Sequence, residues 1–205
     1  MRVRVLGCSG GIGEGRHTTA FLIDDDILID AGTGLTRLDL TALSRIRHLF
    51  ISHSHLDHIL CLPSLIDSIA DTLTEPLVVW ALPEVIDSLR AHIFNGDIWP
   101  DFARIPSPEW PFMRYQSIRV GEAVRLAARE ITAIPAHHGK PAVGFCLRGE
   151  QASLIYSGDT CSHPALWDIA NACPDIRHII VETSFGNAQQ ALAEVSWHYC
   201  PATLL

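Results

Sequence analysis

Three histidines and an aspartate stand within six residues, in the segment His53-Ser54-His55-Leu56-Asp57-His58. Imidazole nitrogen and carboxylate oxygen together suit zinc, iron or manganese better than calcium or magnesium, which prefer oxygen alone. A divalent ion held this way activates water and neutralises charge that develops on a phosphoryl or carbonyl oxygen, so the cluster points to hydrolysis. The preceding run, His48 to Ser52, is apolar and too short and β-branched for a helix of its own. It reads as a buried strand. Side chains two apart share a strand face, so His53 and His55 leave the strand end on one side. Asp57 and His58 follow where the chain must turn toward a helix, and one segment can therefore feed two adjacent metal ions.

Further candidate ligands follow other strand-like runs. Residues 130–134 lead into Pro135-Ala136-His137-His138, and Ala152 to Tyr156 leads into Ser157-Gly158-Asp159-Thr160. Ile179-Ile180-Val181 precedes Glu182, and His198 lies in Ser196-Trp197-His198. Ligands far apart in sequence but alike in following strands fit one edge of a layered β-structure.

The elements that must position them can be read along the chain. Residues 2–6 form a strand that ends in a glycine-rich loop, Gly7 to Gly15. A dinucleotide-binding loop opens a helix, but here His17 to Ile23 and Ile27 to Asp30 read as two strands around Asp24-Asp25-Asp26, which argues against such a site. Asp30-Ala31-Gly32 forms a turn, and Leu38 to Leu43 a short helix. Helical spacing of apolar residues continues from Ile59 to Asp71, with Pro63 tolerable in a first turn. Leu77 to Ala81 is another strand, and Pro83 to Phe94 a helix with proline at its start. Residues 95–115 are aromatic, proline-rich and irregular. They are expected to cover the mouth of the site, to make a subunit contact in a homodimer, or to pack as a surface loop. Strands follow at 122–127 and 130–134. Val143 to Leu147 and Ala152 to Tyr156 pair as a hairpin, and Ala188 to Glu194 forms a last helix.

Composition narrows the function classes. A chain of 205 residues, 48% hydrophobic, can bury a core without staples, and one domain spanning residues 1–205 is expected. The net charge of −8, with 15 Lys and Arg that form no run, disfavours a generic nucleic-acid or anionic-membrane binder. Six cysteines show no metal-finger or paired spacing and are expected as free thiols in a reducing compartment. Cys61 and Cys161 lie close in sequence to ligand candidates, and packing is the expected role of both. The sequence shows neither a signal-peptide core nor a run of transmembrane length, and a cytoplasmic location is expected.

The segment His53-Ser54-His55-Leu56-Asp57-His58 resembles the HxHxDH signature of metallo-β-lactamase-fold hydrolases. Leu56 and Ile59 make it most similar to the class II cyclic-nucleotide phosphodiesterase branch and the neighbouring ribonuclease Z branch. The run His138-Gly139-Lys140-Pro141-Ala142-Val143-Gly144-Phe145 resembles the family's next ligand segment and selects His138 over His137. Ser157-Gly158-Asp159-Thr160 resembles the motif whose aspartate bridges both metals. The resemblance covers essentially the whole chain. It implies an α/β fold, a four-layer αββα sandwich, with Asp30 beneath the metals orienting ligand histidines. It implies two divalent ions, zinc foremost with manganese or iron suitable. One would be bound by His53, His55 and His138, the other by Asp57, His58 and the shared Asp159. A water between the ions would be deprotonated to attack phosphorus or a carbonyl carbon, and Asp57 and His198 would handle protons. The family carries one more ligand histidine after a further strand, whereas this sequence stops at Leu205. A C-terminally shortened domain, lacking its last strand and helix, is therefore expected. The implied activity is a phosphodiesterase acting on 3′,5′-cyclic nucleotides or similar small phosphodiesters, with no nucleic-acid or membrane partner. The alternatives are a ribonuclease Z-like tRNA 3′-processing endonuclease, a thioester or lactone hydrolase of the same fold, or a metal-binding protein with impaired catalysis.

Overall fold

A computed structural model describes residues 1–204 as two compact units, one spanning Arg2–Ser117 and the other running from Ile118 onward together with Met1. In the N-terminal unit, β1 (Val3–Gly7), β2 (Ala20–Ile23) and β3 (Ile27–Ile29) form an antiparallel meander. To it are added, in parallel, β4 (His48–Phe50), β5 (Leu77–Ala81) and β6 (Met113–Ser117). The six strands lie in chain order across the sheet. Each parallel connection must cross over, and the crossovers carry α1 (Leu40–Leu43), then α2 (Leu56–Ile59) with α3 (Leu62–Ile69), then α4 (Pro83–His92). β2 and β3 are buried at every position.

Helix α3 buries Leu62, Leu65, Ile66 and Ile69, the spacing of a single helical face, against Leu28, Leu49, Val79 and neighbours. The sequence predicts one helix from Ile59 to Asp71. The structure places α3 there, with Pro63 in its first turn as expected, and adds the separate short helix α2 before it. Residues 95–115 are mostly exposed and are anchored by a few buried side chains. Phe102 is buried between Phe94 and Phe112, with ring centroids 6.0 and 5.8 Å away, and Arg90 lies 4.9 Å over the ring of Tyr115. Strand β6 begins within this segment. It has no apolar alternation to betray it, since only Met113 of its five residues is buried.

The second unit is also built on one sheet. β7 (Ala123–Leu126), β8 (Arg129–Pro135), β9 (Val143–Arg148) and β10 (Ser153–Tyr156) run antiparallel in sequence. The expected hairpin is present, with Phe145 opposite Tyr156 and Leu147 opposite Leu154. β11 (Ile176–Ile180) returns parallel to β10 after α5 (Pro164–Ala172), a helix the sequence pattern did not disclose. Leu166 and Ala170 of α5 pack on Ile134, Cys146 and Ile155. Helices α6 (Gln190–Ser196) and α7 (Pro201–Leu204) complete the unit. All six cysteines are free thiols. Among the described residues, no helix is long and apolar enough to cross a membrane.

His163, at the N-terminus of α5, is 4% exposed and stacks on His137, with centroids 4.4 Å apart and planes 19° apart. Neither of its ring nitrogens has a hydrogen-bond partner. Burial, and then the neighbouring His137, hold its pKa below the usual histidine value. The folded state thus binds a proton less readily than the unfolded chain does. Stability from this group is complete above the unfolded value of about 6.5 and is lost as pH falls through the lower folded value. Urea melts from pH 7 to pH 5 are expected to show a steeper loss of stability for the wild type than for His163→Phe.

Candidate metal centre

In the N-terminal unit the histidine segment rests on the turn that follows β3. Asp30 adopts a left-handed φ of 56°, and its N–H donates to the carbonyl of Phe50 at 2.8 Å. Ala31 donates to the His58 carbonyl at 2.6 Å and accepts from the Cys61 N–H at 2.8 Å. Gly32 has no room for a side chain, because a Cβ there would collide with the Asp57 carbonyl and the Thr18 hydroxyl. The turn and the segment are therefore in backbone contact along their length. Thr18 and Thr33 lock the near side, each side-chain oxygen accepting the other residue's N–H at 2.8 and 2.7 Å.

The Asp30 carboxylate is wholly buried and has three donors. Ser52 donates its N–H to Oδ1 and its hydroxyl to Oδ2, both at 2.8 Å, and Nδ1 of His58 lies 2.8 Å from Oδ2. This network assigns the tautomers. His58 gives its Nδ1 proton to the carboxylate, which leaves the Nε2 lone pair for a metal. Ser52 has already spent its one proton on Asp30, so at 3.1 Å it accepts from Nδ1 of His53, whose Nε2 likewise becomes the ligand atom. The rings of His55 and His58 lie 4.7 and 4.3 Å from that of His53. Asp57 Oδ2 stands 3.6 Å from His58 Nε2. That is too long for a good hydrogen bond, but it is near the roughly 3.3 Å edge of a tetrahedron with metal–ligand bonds of about 2 Å. The four residues offer donor types that suit divalent metal ions, with His53 and His55 in one group of ligand atoms and Asp57 and His58 in another.

In the C-terminal unit the remaining candidates come together at the ends of β8, β10 and β11. Gly158, at a φ of 62°, turns the chain after β10, and a Cβ there would meet the Val143 carbonyl. The turn delivers Asp159, which is buried. The loops at 137 and 160 are joined through His137 N–H to Thr160 Oγ1 and Cys161 N–H to the His137 carbonyl, both at 2.8 Å. Glu182 is fully engaged. One oxygen accepts from the Thr160 N–H at 3.1 Å and faces His198 Nδ1 at 2.7 Å, and the other accepts the N–H and hydroxyl of Ser184, both at 2.9 Å. His198 Nδ1 is also 4.0 Å from Asp159, and Asp159, Glu182 and His198 bring ligand atoms within 4.8 Å of one another. The His138 ring lies 4.8 Å from that of His198, and its Nδ1 donates to the Trp197 carbonyl at 3.3 Å, again leaving Nε2 as ligand atom. Trp197 reaches this position through a left-handed φ of 61°, at a cost of about 1 kcal/mol for a non-glycine residue.

The profile of the beta-lactamase superfamily domain matches residues 25–200. The chain belongs to the beta-lactamase superfamily. It is 28% identical over 189 residues to a 3′,5′-cyclic-nucleotide phosphodiesterase of Aliivibrio fischeri, covering 76% of this chain and 55% of that one. It is 31% identical over 127 residues to a ribonuclease Z of Pyrococcus abyssi, covering 60% of this chain and 38% of the relative. The chain thus spans about half the length of the curated phosphodiesterases it matches. The crystal structure of unliganded yeast PDE1 superposes with a TM-score of 0.78 at 21% identity, over 98% of this chain and 80% of that one. The shared fold, with two sheets and flanking helices, is the metallo-β-lactamase fold expected from the sequence.

Within this superfamily fold, His53, His138, Asp159 and Glu182 follow strands, His55, Asp57 and His58 lie at or in the short helix after β4, and His198 follows α6. Sequence reasoning did not find the hydrogen-bonding roles of Ser52 and Glu182, or that of the Trp197 carbonyl. The one available signal was position, since Ser52 and Glu182 directly follow apolar strands. Burial pushes the Cys61 and Cys161 thiols up. Among the described residues no cysteine joins a group of potential ligand atoms.

Removing the Asp30 carboxylate strands His58 and Ser52 in a dry site. Asp30→Ala is expected to lower stability by about 3 kcal/mol in urea unfolding, and to weaken zinc binding by roughly 10–100-fold in a competitive chelator titration. Gly32→Ala is expected to lower the melting temperature by several degrees through its clash with the Asp57 backbone, as checked by thermal denaturation.

Proposed function

We propose that the chain carries the catalytic centre of a metal-dependent phosphodiesterase that hydrolyses 3′,5′-cyclic nucleotides or similar small phosphodiesters. The observation that supports this best is the Glu182–His198 pair, an imidazole fixed by a carboxylate at 2.7 Å beside the ligand candidates Asp159 and His138. A ligand set alone does not choose an electrophile. A histidine held ready to deliver a proton suits an alkoxide leaving group, which a phosphodiester has. The name of the Aliivibrio fischeri relative favours the same substrate class.

In this reading His53, His55 and His138 hold one divalent ion, and Asp57, His58 and Asp159 hold a second. The mixed nitrogen and oxygen donors suit zinc first, with manganese or iron as substitutes. When bound, such ions supply Lewis acidity and make water more acidic. The chain's own residues do the rest. Asp57, half-exposed and not engaged by Asp30, takes a proton from the attacking water. His198, its Nδ1 on Glu182, gives a proton from Nε2 to the departing ribose oxygen as the phosphorus–oxygen bond breaks. Glu182 holds the ring in that orientation, and Ser184 and the Thr160 N–H hold Glu182. Asp30 and Ser52 fix the ligand histidines. The substrate is a small molecule, and the reading places the protein in the cytoplasm.

A ribonuclease Z-like endonuclease is the second reading, favoured by the Pyrococcus abyssi relative. Against it stands the net charge of −8, a poor surface for a polyphosphate backbone.

The zinc- or manganese-loaded protein is assayed with 3′,5′-cyclic AMP, 3′,5′-cyclic GMP and a precursor tRNA. Cyclic-nucleotide hydrolysis is expected, abolished by chelation. His198→Ala is expected to lower kcat by about 100-fold or more, and Glu182→Gln by about tenfold, with metal content retained in both. Precursor-tRNA cleavage without cyclic-nucleotide turnover would replace this reading with the second one.

A further inference from the structure

Trp197 occupies a backbone conformation that glycine adopts freely and a large aromatic residue does not. It ends α6 at a φ of 61°, where helix C-termini favour glycine. The conformation serves two neighbours. The Trp197 carbonyl receives the Nδ1–H of His138, and the next residue, His198, is delivered to Glu182. Glycine would perform both tasks without strain, so the backbone role does not account for an indole here. Nor does the core, because Trp197 is 49% exposed. The indole instead lies along the site. Its Cδ1 is 3.9 Å from the point a Cβ on Gly139 would occupy, and Gly139 directly follows His138. A side chain larger than hydrogen at 139 would begin to cover the ring. The His138 and His198 rings, 4.8 Å apart, adjoin it through the backbone, while Phe185 packs on His198 at 5.6 Å.

We infer that Trp197 is a stacking platform for the aromatic base of a nucleotide whose phosphate lies at His198. An indole face offers a base broad, sequence-tolerant contact, and a half-exposed ring held beside a phosphate-handling histidine is placed to provide it. The inference rests on the phosphodiesterase reading for the identity of the substrate, but it makes a separate claim. This chain prefers nucleotides over sugar phosphates because of one side chain.

Calorimetric binding of 5′-AMP and of ribose 5-phosphate to the zinc-loaded protein tests this without turnover. The wild type is expected to bind 5′-AMP about tenfold more tightly than ribose 5-phosphate. W197G, which suits the left-handed backbone, is expected to abolish the preference and to raise KM for 3′,5′-cyclic AMP about tenfold, while W197F retains most of both. W197N, also tolerant of positive φ, gives a second stack-free variant should W197G fold poorly. No preference in the wild type, or a preference that survives in W197G, overturns the inference. The two claims fail separately. Cyclic-nucleotide turnover with an unaltered KM in W197G removes the platform and leaves the phosphodiesterase. A tryptophan-dependent preference for 5′-AMP without any turnover does the reverse.

Discussion

The buried carboxylate of Asp30 is the constraint on which the ligand cluster of the N-terminal unit depends. An ion sealed from water costs several kcal/mol unless donors replace its hydration. Here the Ser52 N–H, the Ser52 hydroxyl and Nδ1 of His58 do so, all at 2.8 Å. Each bond has a second effect. The Ser52 N–H fixes the chain as it leaves β4, the hydroxyl is committed so that it can only accept from His53, and the His58 contact turns Nε2 toward Asp57. One desolvated charge thereby sets the orientation of two imidazoles and the path of the loop between them. The parallel pairing of β3 with β4 makes this possible, because it brings two strand ends from 22 residues apart into contact.

The C-terminal unit solves the same problem with Glu182 after β11. Its two oxygens accept from four groups, and one of these is the imidazole of His198. The two carboxylates differ in what they hold. Asp30 is wholly buried and holds the ligand candidate His58, whereas Glu182, its side chain 8% exposed, holds His198.

Backbone strain marks the same places. Asp30, Gly158 and Trp197 all have left-handed φ values, and each stands beside a ligand candidate or an orienting contact. Such conformations persist where surrounding contacts over-determine them. Glycine meets the requirement without penalty at 158, a short polar side chain tolerates it at 30, and at 197 an aromatic residue adopts it against its preference.

Much of the centre was legible in the sequence. His53, His55, Asp57 and His58 announce themselves because ligand chemistry is local in residue type, and strand periodicity placed them, the His137-His138 pair and Asp159 at strand ends. The two strands expected after the glycine-rich loop are present as β2 and β3. The sequence pattern did not disclose α5 or β6, the latter with a single buried residue, nor the separate short helix α2. The orienting partners depended wholly on tertiary structure. His58 finds Asp30 from 28 residues away, His198 finds Glu182 from 16, and His138 finds the Trp197 carbonyl from 59. Hydrophobic periodicity reports which face of an element is buried. It carries no record of which distant donor meets which acceptor, because strand register and loop path decide that only when the chain has folded.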